Sequence, residues 1–277
     1  MAYPKLLTIQ DISCVGQCSL TVALPVISAC GVEACVLPSA VLSTHTGGFA
    51  GFTFRDLTDD MPSIKDHWVK ESIAFDAIYT GYLGSTKQIA YVKDIFAAVA
   101  KQGALKIVDP AMADNGKLYY GFDDAFVAAM RTLVAEADYV LPNITEACFL
   151  TGTEYRTEYD AAYVDGLVAS LKALGCKNVI LTGVSYAAGS TGVLVAGETE
   201  TQYYEHVRIA NGCHGTGDIY ASAFAGALLR GKSAFCAAKI AADYVLECIR
   251  ETQTHENHWY GAAFEPVLGK LIEAVNA

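Results

Sequence analysis

The sequence predicts an α/β fold of three layers, with a mostly parallel central sheet between two layers of helices. Three observations lead there. Short apolar runs recur along most of the chain and end in Gly, Pro, Asn or Asp. Longer stretches with helical spacing of apolar residues separate them. The last part of the chain abandons this alternation for a close pair of strands followed by helices. Strand–helix alternation calls for parallel strands joined by crossover helices, which then cover both faces of the sheet.

In chain order, "KLLTIQD" (5–11) reads as the first strand, and "SLTVALPVISACG" (19–31) as a helix stopped by Gly31. "VEACVLPSAV" (32–41) is a second strand, interrupted by Pro38. Four apolar runs follow as strands: "FDAIYTG" (75–81), "ALKIVDP" (104–110), "DYVLPN" (138–143) and "KNVILTGV" (177–184). Helical patterns occupy 63–74, 85–102, 123–136 and 158–174. "TGVLVAG" (191–197) and "TQYYEHV" (201–207) lie so close together that they form an antiparallel hairpin at the sheet edge. Helices at 218–230, 233–250 and 263–276 finish the chain. No low-complexity linker or repeat divides it, so a single domain is expected over 1–277.

A chain of 277 residues with 53 % apolar and 18 % charged residues can bury a substantial core. Its formal net charge of −11 argues against nucleic acid as a partner, because phosphate backbones need a basic footprint. A nucleotide remains compatible, since backbone N–H groups and a metal can hold phosphate locally. The nine cysteines show no C-x-x-C spacing, which points to reduced thiols in a cytoplasmic protein. The apolar run 20–32 is cut by Pro25 and Gly31, so neither a membrane span nor an export signal is expected.

In open α/β sheets ligands bind beyond the carboxyl ends of the strands. Those ends carry Asp11, Thr80-Gly81-Tyr82, Asp109, Asn143 and Thr182-Gly183. Singly, each is an ordinary turn residue. Together, beside a Gly-rich turn, they outline a site.

Two phosphate signals lie within "HGTGDIYASAFAGALLRGKS" (214–233). The segment 226–233 matches the P-loop pattern, but a P-loop needs a strand entering the loop and a helix leaving it. Here Ala-Leu-Leu-Arg continues the helix begun at Ile219, Gly231 suits its end, and Ser233 suits the N-cap of the next helix. The motif GTGD has the right setting, following an edge strand and the polar stretch "RIANGCH" and opening a helix of small apolar residues. The N–H groups of Thr216, Gly217 and Asp218 would face an anion, aided by the helix dipole. Asp218 has two roles open to it: a base for an attacking hydroxyl, or a plain helix N-cap.

The chain resembles the ribokinase superfamily, of which GTGD opening a helix is the hallmark, and within it the pyridoxal/pyridoxamine (vitamin B6) kinase branch. The resemblance rests on "LLTIQD", "STHTGG" (43–48), "YTGYLGS" (79–85), "IVDPAMADNGKLY" (107–119), "LPNITEACFLTG" (141–152), "VILTG" (179–183) and "HGTGD", in family order over nearly the whole chain. It implies a ribokinase-like fold and ATP-dependent phosphorylation of the 5′-hydroxymethyl group of a B6 vitamer. By the same resemblance Asp218 matches the catalytic base, and Gly215, Thr216 and Gly217 the anion hole. Asp109, Asn143 and Glu146 match positions serving the ATP phosphates, with Asp109, Asp114 and Glu146 on the Mg²⁺ side. Thr182 matches a nucleotide contact, and Asp11, Thr46 and Tyr82 match residues lining the vitamin. The resemblance also implies a homodimer and leaves room for a monovalent cation, K⁺ or Na⁺.

Three departures from the branch stand out. Asp11 replaces the usual Ser after "IQ", Ala113 replaces a Gly in the Asp109 loop, and Cys213 precedes the GTG turn. Related hydroxymethylpyrimidine kinases carry a Cys within that turn; here Asp218 holds the place, and Cys213 is expected to be a pocket or core thiol. The alternatives to a B6 kinase are a hydroxymethylpyrimidine kinase and a non-catalytic B6-binding protein.

Overall fold

The computed structural model describes residues 3–209 and 213–277. Residues 210–212 of the "RIANGCH" stretch lie outside the described residues. The strands are β1 (Lys5–Ser13), β2 (Glu33–Leu42), β3 (Phe54–Asp56), β4 (Phe75–Thr80), β5 (Ala100–Val108), β6 (Ala113–Asp114), β7 (Lys117–Leu118), β8 (Tyr139–Val140), β9 (Asn178–Val184), β10 (Ser190–Ala196) and β11 (Thr201–Val207). The helices are α1 (Leu20–Ala29), α2 (Met61–Lys70), α3 (Thr86–Val99), α4 (Asp124–Val134), α5 (Ile144–Thr151), α6 (Ala161–Ala173), α7 (Thr216–Leu229), α8 (Ala234–Thr252) and α9 (Leu268–Asn276).

Nine strands form one sheet in the order β11-β10-β9-β8-β5-β4-β1-β2-β3. The run from β9 to β2 is parallel throughout, and β10, β11 and β3 add antiparallel pairings at the edges. Successive residues of a strand face opposite sides, so Leu6 joins one core while Leu7 and Ile9 join the other. One face packs under α2 to α6, through residues such as Phe96, Met130 and Leu167. The other packs under α1, α7, α8 and α9, through Val22, Phe224, Ala241 and Leu271.

Helix α7 is buried continuously from Ile219 to Leu228, and its small residues let it lie close to α1. A Cβ at Gly226 would stand 2.5 Å from Cys30 Sγ, so this glycine serves helix contact and not a phosphate loop. The P-loop-like segment is a helix–turn–helix junction. Gly231 has φ +86° after α7, and the Ser233 hydroxyl accepts the Cys236 N–H at 3.2 Å to start α8.

Several elements differ from the sequence expectation. Pro38 does not interrupt β2: it lies in register with Gln10, before β3 begins to pair at Ala40, so its missing N–H costs no ladder bond on that outer edge. Strand β5 starts at Ala100, inside the stretch expected to be helical, and β8 is only Tyr139–Val140. Helix α5 and the short strands β3, β6 and β7 were not expected.

Candidate active site

The carboxyl ends of the parallel strands meet the start of α7. Gly215 caps that helix with φ +80°, and a Cβ there would fall 1.8 Å from the Gln17 carbonyl oxygen. Only glycine fits, and the fold itself demands it. Gly217 differs: a Cβ there would meet nothing within 4 Å, so open space lies over the first turn of α7. The Thr216 hydroxyl donates to the Cys213 carbonyl at 3.4 Å. Cys213 is half-buried against the α7–α8 core, as a core thiol should be.

Asp218 is not the cap of α7, since Gly215 holds that position and no side chain caps the helix. Its Oδ2 instead accepts the backbone N–H of Ser19 at 2.9 Å. Burial, with the nearby Asp11 carboxylate adding to it, pushes its carboxyl up to about 7, and the Ser19 bond opposes this. A carboxyl that titrates near neutrality, in a cleft, is suited to exchanging a proton.

Asp11 is buried in β1, and each of its oxygens takes a serine hydroxyl: Ser19 Oγ on Oδ1 at 2.6 Å and Ser13 Oγ on Oδ2 at 3.1 Å. Its contacts thus run to side chains, and not only to turn N–H groups. Tyr82 is close enough to Asp11 for that charge to help burial raise the phenol. Its ring stacks on Phe122 at 5.5 Å. Thr46 sits exposed on the loop after β2. Its neighbour His45 is buried, and fastens the loop by accepting the Gly47 N–H on Nδ1 (3.0 Å) and holding the Tyr260 carbonyl through Nε2 (2.6 Å). Because Nδ1 accepts, Nε2 carries the proton.

On the other side of the cleft, Asn143 and Glu146 form a capping box at the start of α5. Glu146 Oε2 accepts the Asn143 N–H at 2.9 Å and Oε1 the Met112 N–H at 3.1 Å, while Asn143 Nδ2 donates to the Ala113 carbonyl at 2.9 Å. The box therefore holds the loop after Asp109. Burial pushes the Glu146 carboxyl up to about 7. Burial, and the charges of Glu146 and Asp218, raise Asp109 well above the ordinary range. Asp114 is exposed, with both oxygens bonded by Asn115. The Thr182 hydroxyl donates to the Pro142 carbonyl at 3.3 Å, beside Asn143.

Asp11, Asp218, Asp109 and Glu146 thus lie near enough for the charge of each to act on the next, and none of them forms an ion pair among the described residues. Among the described residues no three His, Cys, Asp or Glu side chains form a protein-built metal cage. Two buried, mutually repelling carboxylates do fit a hard divalent cation that draws its other ligands from water and phosphate.

A family model described as phosphomethylpyrimidine kinase matches residues 21–263. The chain belongs to that family. It is 32 % identical to the pyridoxal kinase of Lactobacillus plantarum, with a TM-score of 0.90 over 98 % of each chain. A Bacteroides thetaiotaomicron protein, provisionally described as a phosphomethylpyrimidine kinase and crystallised with pyridoxal, is 36 % identical, with a TM-score of 0.92 over 98 % of this chain and 96 % of that one. The pyridoxal kinase of Dictyostelium discoideum is 25 % identical over 244 residues, 82 % of this chain and 79 % of the other. The fold of this family member is thus the ribokinase-like one of the pyridoxal kinases.

Four supports of this kinase-family site escaped the sequence reading. Ser19 links Asp11 to Asp218, although no motif marks it. Gln88, buried in α3, accepts the Gly84 N–H (2.7 Å) and donates to the Ser39 carbonyl (3.1 Å), fixing the turn that carries Tyr82. The Tyr159 hydroxyl donates to the Gly183 carbonyl (3.3 Å) and accepts the Ser185 N–H (3.1 Å), pinning the turn after Thr182. The β6–β7 hairpin turns at Asn115 (φ +50°) and Gly116 (φ +75°). Asn-Gly is a strong hairpin signal, and it was readable in "DNGK".

Proposed function

We propose that the whole chain is a single vitamin B6 kinase domain, transferring the terminal phosphoryl group of ATP to the 5′-hydroxymethyl group of pyridoxal, pyridoxamine or pyridoxine, in the salvage of pyridoxal 5′-phosphate. One observation carries the reading. Asp218 is free of capping duty and stands at the α7 N-terminus beside the open space over Gly217. The likeness to pyridoxal kinases, and to a protein crystallised with pyridoxal, supports the choice of substrate.

In this reading Asp218 Oδ1 accepts the proton of the vitamin hydroxyl as that oxygen attacks. The N–H groups of Thr216, Gly217 and Asp218 hold the charge of the transferring group, with the helix dipole behind them. Asp109 and Glu146, with Asp114 nearby, would hold Mg²⁺, which neutralises phosphate charge when bound. Asn143 and Thr182 line the nucleotide side; that ATP is the donor agrees with the structures of the Staphylococcus aureus pyridoxal kinase in complex with ADP and with AMP-PCP. Asp11, Thr46 and Tyr82 line the vitamin side. A monovalent cation (K⁺ or Na⁺), a cytoplasmic location and a homodimer belong to the same proposal. For the dimer, the exposed Phe52 and Phe54 around edge strand β3 supply an apolar patch.

A second reading, a hydroxymethylpyrimidine kinase, is favoured by the family description and by a Mycobacterium bovis hydroxymethylpyrimidine/phosphomethylpyrimidine kinase, 26 % identical over 252 residues. ADP release, coupled to a reporter and measured with each B6 vitamer and with hydroxymethylpyrimidine, separates the two. Turnover on the pyrimidine alone overturns the first reading, and no turnover on any alcohol leaves a non-catalytic binder.

A further inference from the structure

Ser19 has a backbone that serine rarely adopts, φ +54° and ψ −130°. This left-handed region favours glycine and strains a residue that bears a side chain. Such strain persists only where the surroundings over-determine it. Here the surroundings are specific. The Ser19 hydroxyl is drawn to Asp11 Oδ1 at 2.6 Å, and Ser13 holds the other Asp11 oxygen at 3.1 Å. Ser19 also pairs with Ile12 across an isolated antiparallel bridge. It stands at the N-cap of α1, yet its side chain makes no capping bond, although serine is among the best caps. Its hydroxyl has been diverted to Asp11. The result is a backbone N–H turned toward Asp218 Oδ2 at 2.9 Å.

We infer that Ser19 is a positioning residue for phosphoryl transfer: anchored by Asp11 in a glycine-like conformation, it fixes one oxygen of Asp218 and leaves the other aimed at the substrate hydroxyl. This inference rests on the reading of Asp218 as the base. It assigns Asp11 a task apart from any contact with the vitamin, namely to hold Ser19. Two segments far apart in sequence are thereby tied at the reacting end: the β1–α1 connection and the GTGD turn. The same connection supplies the Gln17 carbonyl that forbids a side chain at Gly215, so both sides of the α7 start are set by residues 17–19. A misplacement of about 1 Å at a catalytic group is enough to cost roughly a hundredfold in rate.

The test uses the different backbone freedom of glycine and alanine. Ser19→Gly loses the hydroxyl but adopts φ +54° without an anchor, so the N–H should stay on Asp218. Ser19→Ala loses the anchor and keeps the strain, so the backbone should relax and release Asp218. Steady-state kinetics with pyridoxal and ATP should show kcat reduced about ten- to a hundredfold in Ser19→Ala, with KM for ATP within about twofold, and kcat largely recovered in Ser19→Gly. Asp11→Asn should lower kcat in the native background and add little in the Ser19→Gly background. That cycle carries the test even if Ser19→Ala does not fold. Equal kcat losses in the Gly and Ala variants, a loss confined to KM, or an Asp11→Asn effect that persists in full beside Ser19→Gly would each overturn the inference; the last would place Asp11 on the substrate instead. Asp218→Asn, run alongside, tests the base separately. If it keeps near-native turnover, the site reading fails whatever Ser19 does.

Discussion

Asn143 and Glu146 satisfy one another across the first turn of α5. The Asn143 side chain accepts the Glu146 N–H at 2.9 Å, and Glu146 accepts the Asn143 N–H at 2.9 Å. Both residues match ATP-phosphate positions by resemblance, yet both are spent in part on backbone. Glu146 also takes the Met112 N–H, and Asn143 the Ala113 carbonyl. The loop after Asp109 is therefore built on this helix start, and under the proposed function the two residues would act on a nucleotide partly through the loop they hold.

Asn143→Ala should accordingly cost about 1 kcal/mol of stability, the usual loss for a removed cap. It should raise KM for ATP more than KM for the vitamer, because the freed loop lies on the nucleotide side. Chemical denaturation and steady-state kinetics check the two halves. An unchanged KM for ATP would mean that the loop keeps its shape without the cap.

Asp218→Asn should lower turnover by roughly 10²–10⁴, the usual contribution of a general base. The native carboxyl sits at about 7, above its ordinary 3.8, because of burial. The folded state therefore keeps a proton, between these values, that the unfolded chain has released. Stability drains away as pH rises from about 4 to about 7 and stays low above that. The amide removes this loss. Thermal unfolding should show the variant more stable than the native protein at pH 8, by up to about 4 kcal/mol for a shift of this size, with the gain vanishing near pH 4. A gain equal at both pH values contradicts the raised carboxyl.

Millimolar Mg²⁺ without nucleotide should raise the melting temperature at pH 8, where Glu146 is ionised. The rise should shrink at pH 6, because Glu146 titrates at about 7 and takes up a proton. Asp109→Asn should abolish it. Scanning fluorimetry reads this directly, and a rise that survives in Asp109→Asn places the ion elsewhere.

Lys232→Ala should leave KM for ATP within about twofold, as surface changes do. The residue lies in the turn between α7 and α8, after Gly231. A collapse of activity in a folded variant would restore a phosphate role to GALLRGKS.

Much of this could be read from the sequence, for identifiable reasons. The parallel sheet announced itself because buried strands are continuous apolar runs, and Asp109, Asn143 and Thr182 stood out because polar residues there end such runs. The P-loop match was dismissed correctly because Gly231 and Ser233 are end and start signals. Helix α5 stayed hidden because its eight residues, which follow directly on the expected strand "DYVLPN", are too few to show a helical repeat. Pro38 misled because edge position, which excuses a proline, is a property of topology. Ser19, Gln88 and Tyr159 left no trace because each acts by a contact between distant segments, and no local pattern encodes such a contact.

The formal net charge of −11 also governs traffic to the site. Electrostatic steering speeds opposite charges together, and the same field turns like charges away. Free ATP is a polyanion and meets resistance at the mouth; ATP already carrying its metal meets much less. Capture of bare nucleotide should quicken as salt is added, because screening at 0.1 M shortens the reach of the field to about 10 Å. The same field sorts what leaves. A vitamer enters with little charge and departs as a phosphate ester, so the chemistry itself converts a tolerated guest into a repelled one and hastens its exit.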